Sequence, residues 1–338
     1  MSAVIVDVHC HVIVPEILRD AAPQEAWRPR VLREDGGQVV EFAGRRIRSA
    51  VREFVDVETI LEQEGAAGID LVLLSPWISL AFYAEPPDEG LRRSRLQNDA
   101  LAAATARHPD RVRAVGTVPL QDPALAVAEL ERMMGLPGMH GVQVAASVRG
   151  AYLGDDRFAP FWEAAEALGA TILIHPTTRG FDLPVFEEHY LWNTVGNPME
   201  TTVTAAHMVL NGVMERHPRL KVVLAHGGGA ILAVRGRLDH GWRAVAAARG
   251  RLEASPVASI RRFHFDTVTH DPELLRELVG FAGAERVLLG SDHPFDMGTE
   301  RPVEAVRAAG LSPEEEALVL GGNAARLLGL GAPAGTGG

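Results

Sequence analysis

VIVDVHCH (residues 4–11) is a run of β-branched and apolar residues that ends in two histidines two positions apart. Side chains two apart on a strand share a face, so His9 and His11 point together, and Asp7 is expected to point with them. Seven more short apolar runs follow: IDLVLLSP (69–76), VRAVGTVP (112–119), HGVQVAA (140–146), ATILIHP (170–176), KVVLAHG (221–227), RFHFDTVT (262–269) and RVLLGSD (286–292). Helical stretches such as SRLQNDALAAATARH, PALAVAELERMM and PELLRELVGFAG separate them. Strands alternating with helices at this spacing indicate a parallel sheet. Eight such units predict an α/β fold, a (β/α)8 TIM barrel, whose usual size is about 250 residues.

The chain has 338 residues, so insertions account for the remainder. Residues 1–330 are expected to form the single barrel domain. Turn signals at EDGG and AGRR, between VLRE, QVVEF and IRSA, predict a small β-hairpin insertion over residues 29–50, after the first strand. Residues 177–200, with His189 and Trp192, form an expected active-site loop, and 331–338 an expected disordered tail.

Composition narrows the function. The formal net charge is −11, and clustered basic residues are what phosphate backbones require, so no nucleic-acid partner is expected. No apolar run reaches the roughly 18 residues that span a bilayer. The opening MSAVIVDVHC lacks a basic segment followed by an apolar one, so neither a signal peptide nor a membrane partner is expected. Cys10 is the only cysteine, which excludes an intrachain disulfide framework and suits a reducing cytoplasm. Its position between the two histidines turns it outward, into packing. Lys221 is the only lysine, so a P-loop is excluded; GGG at 227–229 is not a dinucleotide fingerprint.

In such barrels the active site lies at the C-terminal ends of the strands. The first predicted strand ends in His9 and His11, the fifth in His175, the sixth in His226 and the eighth in Asp292. His9, His11, His175 and Asp292 together make a reasonable ligand set for one divalent metal ion, most simply Zn2+. A lone histidine at a strand end is more often structural; the coincidence of four is what points to a metal.

The D-x-H-x-H start, ILIHP, LAHGGG and GSDHPF resemble the amidohydrolase superfamily. NPMETT, NGVMERHPRLKVVLAHGGG, GRLDHGWR and GGNAARLLGL extend the resemblance to the branch typified by α-amino-β-carboxymuconate-ε-semialdehyde decarboxylase. The resemblance implies His9, His11, His175 and Asp292 as zinc ligands with one water. It implies His226 as the acid/base, with Asp292 sharing in proton transfer. Lys221 stands five residues before His226, at the far end of its strand, so a carboxylated lysine bridging two metals is not expected. The implied activity is a zinc-dependent non-oxidative decarboxylation of a carboxylated ring-cleavage product or aromatic acid, with metal-bound water and His226 moving protons. A metal-dependent hydrolase of a lactone, amide or C–C bond is the alternative on the same scaffold.

The resemblance also implies substrate contacts, for a small anionic substrate. Arg48 matches an arginine that grips a carboxylate, or is a solvated surface residue. Trp192 resembles a pocket aromatic, although the surrounding loop spacing differs. Arg237, in GRLDHGWR, corresponds to an arginine that reaches the neighbouring subunit of a homodimer, or is an ordinary helix-surface residue. A further arginine of that pattern is Val245 here. Asp7 is either an acceptor for an imidazole N–H or a buried structural carboxylate. His293 stands where relatives often show tyrosine.

Overall fold

The computed structural model describes residues 4–20, 30–34, 37–42, 45–48, 54–177, 181 and 183–330. Eight parallel strands are hydrogen-bonded in the order β1 (Val6–Val12), β5 (Leu71–Pro76), β6 (Val112–Gly116), β7 (Met139–Ala145), β10 (Thr171–His175), β11 (Lys221–Leu224), β12 (His264–Asp266) and β13 (Val287–Leu288). The last strand returns to the first: Val8 N–H donates to Leu289 O, Asp292 N–H to His9 O and His11 N–H to His293 O. These bonds close the barrel.

The strands are rich in Val, Ile and Leu because both of their faces are covered. One set of residues fills the barrel interior: Val6, Val8, Leu71, Leu73, Val115, Leu173, Val223 and Leu288. Ala324 and Leu327, from the helix Asn323–Leu327, close its lower end. The alternate set, including Cys10, Val72, Leu74, Val142, Val144, Ile172, Ile174, Phe263 and Phe265, packs outward in the larger core. Helix starts follow ordinary capping chemistry. Asp122 and Asp271 accept backbone N–H groups at N-caps followed by proline, and Ser312 forms a capping box with Glu315. Lys221 Nζ donates to Leu327 O at 2.9 Å, which places the lysine at the closed lower end, away from the strand tips.

Two expectations change. The last two strands are shorter than their apolar runs, with three and two residues. And Asp7 does not share a face with His9. A bulge lies between Asp7 and Cys10, because Asp7 pairs with Val72 and Cys10 with Leu74, three residues against two. The extra residue reverses the alternation. His9 and His11 face the interior, while Asp7 lies outward with Cys10 and Glu64, where ligand atoms of the three lie within 4.8 Å of one another. Asp7 accepts from Ser291 Oγ at 2.5 Å, Ser291 N at 3.1 Å and His9 N at 2.9 Å, so it is the buried structural carboxylate and takes no imidazole N–H.

The insertion is a three-stranded antiparallel sheet, β2 (Arg30–Glu34), β3 (Gly37–Phe42) and β4 (Arg45–Arg48), one strand more than a hairpin. Its side chains, that of Arg48 included, lie outside the described residues, as do residues 331–338. The short β8 (Ser147–Val148) and β9 (Ala151–Tyr152) pair after β7. No helix among the described residues is long and apolar enough to cross a membrane.

Candidate metal centre and active site

Each of three imidazoles is fixed through its Nδ1. His9 Nδ1–H donates to Asp266 Oδ2 at 2.6 Å. His175 Nδ1–H donates to Pro176 O at 2.9 Å. Ser75 Oγ spends its one proton on Cys10 O at 3.1 Å, so at 3.1 Å from His11 Nδ1 it must accept. All three rings therefore carry their proton on Nδ1 and turn an Nε2 lone pair inward.

Those lone pairs meet. His9 Nε2 and His11 Nε2 are 3.0 Å apart. Asp292 Oδ1 lies 3.2 Å from His9 Nε2, 3.1 Å from His11 Nε2 and 3.9 Å from His175 Nε2. The four ligand atoms are mutually within 4.8 Å, and all four residues are buried. His175 Nε2 has no hydrogen-bond partner. Three lone pairs and a carboxylate oxygen crowded together repel one another unless a cation stands among them. The donor set fits a divalent metal. The same crowding marks the titration behaviour. Burial opposes charge on His9, but Asp292 and Asp266 outweigh it and lift its pKa to about 9, so that without a cation among the ligands a second proton would occupy its Nε2. Burial pushes His175 down to about 3. Asp292 is held well below the usual carboxylate range, since the surrounding histidines outweigh its burial.

His226 follows β11 and adopts a left-handed backbone, φ 57°. Its N–H donates to Asp266 Oδ2 at 2.9 Å, and Gly227 N–H to Asp266 Oδ1 at 2.7 Å. The glycines after it are required: a Cβ on Gly229 would stand 2.0 Å from Pro198 O. The turn aims His226 Nε2 at Asp292 Oδ2, 3.3 Å away, the oxygen not crowded by the three imidazoles. Asp292 thus joins the metal cluster to a fourth histidine.

Asp266 and Ser75 escaped the sequence reading. Both are inward-facing polar residues near strand ends. The alternation in RFHFDTVT, with Phe263 and Phe265 outward, is the signal that puts Asp266 inside. An aromatic wall lies beside the centre: the Phe295 ring is 5.0 Å from both His11 and Phe54, and 6.2 Å from Trp77.

Trp192 and Arg237 stand outside the four-residue cluster, and the Arg48 side chain lies outside the described residues. Trp192 packs edge-on against Tyr190 at 4.8 Å, and Tyr190 OH donates to Asp296 at 3.1 Å, tying this stretch to the segment after Asp292; the expected loop over 177–200 is helical at Pro184–Glu187, at Trp192–Gly196 and from Asn197 onward. Arg237 is exposed on the helix Ile231–Ala244. Asp239, on the same helix, pairs with Arg243 at 2.7 Å, and Glu200 accepts from Thr177 and Ser147. His293 Nδ1 lies 3.5 Å from Glu64 Oε1.

Residues 6–330 match the family model Amidohydro_2, described as amidohydrolase. The chain belongs to the amidohydrolase family. Among its relatives, the 2-amino-3-carboxymuconate-6-semialdehyde decarboxylase of Dictyostelium discoideum is 32% identical, over 81% of this chain and 77% of that protein. The crystal structure of 5-carboxyvanillate decarboxylase from Sphingomonas paucimobilis superposes with a TM-score of 0.83 at 28% identity, covering 97% and 99% of the two chains. A dihydroxybenzoic acid decarboxylase from Polaromonas sp. JS666, solved with manganese and 2-nitroresorcinol, has a TM-score of 0.80 over 98% of both chains; at 22% identity it speaks for the fold. The amidohydrolase fold and a His/Asp centre suited to a divalent metal mark this chain as a metal-dependent enzyme.

Proposed function

We propose that the protein is a zinc-dependent non-oxidative decarboxylase acting on a carboxylated ring-cleavage product or an aromatic acid. The observation that carries this reading is the division of Asp292. One oxygen faces three imidazole lone pairs, the other faces His226. A centre built this way places a proton-handling group beside a cation. His9, His11, His175 and Asp292 would hold the metal, and three neutral imidazoles with one carboxylate suit zinc. When bound, the metal supplies a positive charge that binds and polarises anionic oxygen.

The chain's own residues do the rest. His226, hydrogen-bonded to Asp292, holds a proton and delivers it to the carbon that bears the carboxylate, where a π pair of the acid forms the new C–H bond. The C–C bond then breaks, its electron pair restores the π bond, and carbon dioxide leaves. Phe295, Phe54 and Trp77 supply an apolar wall for a planar skeleton. Arg48, Trp192 and Arg237 are proposed as substrate contacts, Arg237 across a homodimer, on the strength of the motif resemblance. Names of the relatives favour decarboxylation over hydrolysis. The lone cysteine favours the reducing cytoplasm as the site of action.

The test joins elemental analysis with a panel of hydroxylated and amino-substituted aromatic and muconic acids, scored for carbon dioxide. Zinc at the centre and carbon dioxide matching acid consumed are expected. His226→Ala should keep the metal and lose about 10²–10⁴-fold in turnover. Loaded protein that cleaves lactones or amides, and frees no carbon dioxide from any acid, would establish the hydrolase instead. Manganese in place of zinc would correct the metal alone.

A further inference from the structure

The inner wall of the barrel carries unpartnered polar atoms beyond those of the metal centre. Going round from β1, the inward residues near the strand tips are His11, Ser75, Thr117, Gln143 and His175. The first two satisfy each other. The other three each hold a buried side-chain atom without a hydrogen-bond partner: Thr117 Oγ1, Gln143 Oε1 and His175 Nε2. They sit on or just past β6, β7 and β10, three consecutive neighbours in the sheet. His175 Nε2 is accounted for by the metal. Thr117 and Gln143 are not.

Gln143 is inside the barrel. It pairs with Leu173, an interior residue, while Val142 and Val144 on either side pack outward. It is 1% exposed. Its amide is lifted to the level of the metal centre, because Nε2 donates to Pro76 O at 2.6 Å. Ser75 is the register partner of His11, and Pro76 follows it. That bond also fixes which way the amide faces: only the NH2 end can donate to a carbonyl, so Oε1 is the free end. Oε1 can accept a hydrogen bond and cannot give one. Thr117 beside it is immobilised through its backbone, by Asn98 at 2.9 Å from both sides.

We propose that Gln143 determines substrate specificity, by accepting a hydrogen bond from a hydroxyl or amino group on the acid. This deepens the decarboxylase reading and rests on it. Buried acceptors left unpaired are disfavoured, so an oriented one on the inner wall of the barrel selects ligands that carry a donor. An acceptor oxygen also repels a carboxylate. The substrate's carboxylate is therefore turned away from the β6–β7 wall, toward the metal cluster and His226, while its donor group points at Gln143. The class selected is a hydroxy- or amino-substituted acid, in preference to the unsubstituted acid of the same shape.

The experiment is calorimetric binding of salicylate, anthranilate, 2-methoxybenzoate and benzoate to the metal-loaded full chain. The wild type should bind the two donor-bearing acids about tenfold or more tighter than the other two. Gln143→Leu should erase about that factor while leaving metal content and benzoate affinity unchanged; Gln143→Met serves if the leucine variant does not fold. Losses that merely multiply, with no coupling between the ligand's donor and residue 143, would overturn the proposal and leave an ordered water on Oε1. Equal wild-type affinity for all four acids would overturn it without any variant. Failure of the decarboxylase reading would show separately, as absence of carbon dioxide from acids that still bind with the predicted preference.

Discussion

Asp266 gathers four donors: His9 Nδ1, and the backbone N–H groups of His226, Gly227 and Val268. It therefore sets the tautomer of one expected ligand and the position of the expected acid/base with a single carboxylate. Burial works against its charge, yet the bond from His9 and the surrounding donors outweigh that and keep its pKa low. Groups that orient metal-bound imidazoles commonly tune affinity by about 10–100-fold. Asp266→Asn keeps the volume and loses the charge, so metal affinity should fall by about that range in competition with a chelator. Turnover should fall further than metal loading accounts for, because the His226 turn loses its anchor too. An Asp266→Asn protein with wild-type affinity and turnover would reduce Asp266 to a packing residue. Asp266 stayed hidden in the sequence because HFDT offers no motif; only the inward parity of its strand distinguishes it.

At the scale of elements, the eight apolar runs identify all eight barrel strands, since burial on both faces demands continuous β-branched sequence. The ends of β12 and β13 were less legible. There the chain leaves the ladder to satisfy side-chain acceptors, as when Val268 N–H turns to Asp266. The bulge in β1 was not legible, because an extra residue in a ladder leaves no mark in an unbroken run of Val, Asp and His. Its consequence is the buried pairing of Asp7 with Glu64 of the helix Val57–Ala66. Cys10 and His293 also face Glu64, and among the described residues no arginine or lysine pairs with it. Burial, with Asp7 beside it, pushes the Glu64 pKa up from 4.5 to about 9. The folded protein then holds a proton that the unfolded chain releases above pH 4.5. Between about pH 4.5 and 9 the unfolded state binds fewer protons, so this group's contribution to stability falls as pH rises. Glu64→Gln keeps a neutral hydrogen-bonding side chain at every pH. The Tm of the wild type should decline from pH 6 to pH 9, and that of Glu64→Gln should decline by a few degrees less. Parallel Tm profiles would mean that Asp7 and Glu64 are not sharing a proton.

At the scale of the molecule, the centre as described is rich in carboxylate and imidazole and poor in fixed positive charge. An anionic substrate gains from cations beyond the metal, and this chain's net charge of −11 supplies them only locally. Arg237 is exposed, and among the described residues it forms no ion pair. It sits on the helix that begins five residues after His226, so the same element that leaves the site also carries an uncommitted guanidinium outward. Val245, where the motif resemblance implies a further arginine, is 52% exposed at the end of that helix and presents an apolar side chain instead. A two-fold dimer would make the exchange of Arg237 reciprocal. Each of His226→Ala and Arg237→Ala should be inactive alone. Co-expressed, they form mixed dimers with one complete site, and random pairing should restore about a quarter of the sites. Sedimentation first establishes the dimer, and differently tagged chains confirm that mixed dimers form. If Arg237 serves its own chain, every site in a mixed dimer lacks either His226 or Arg237, and no activity returns.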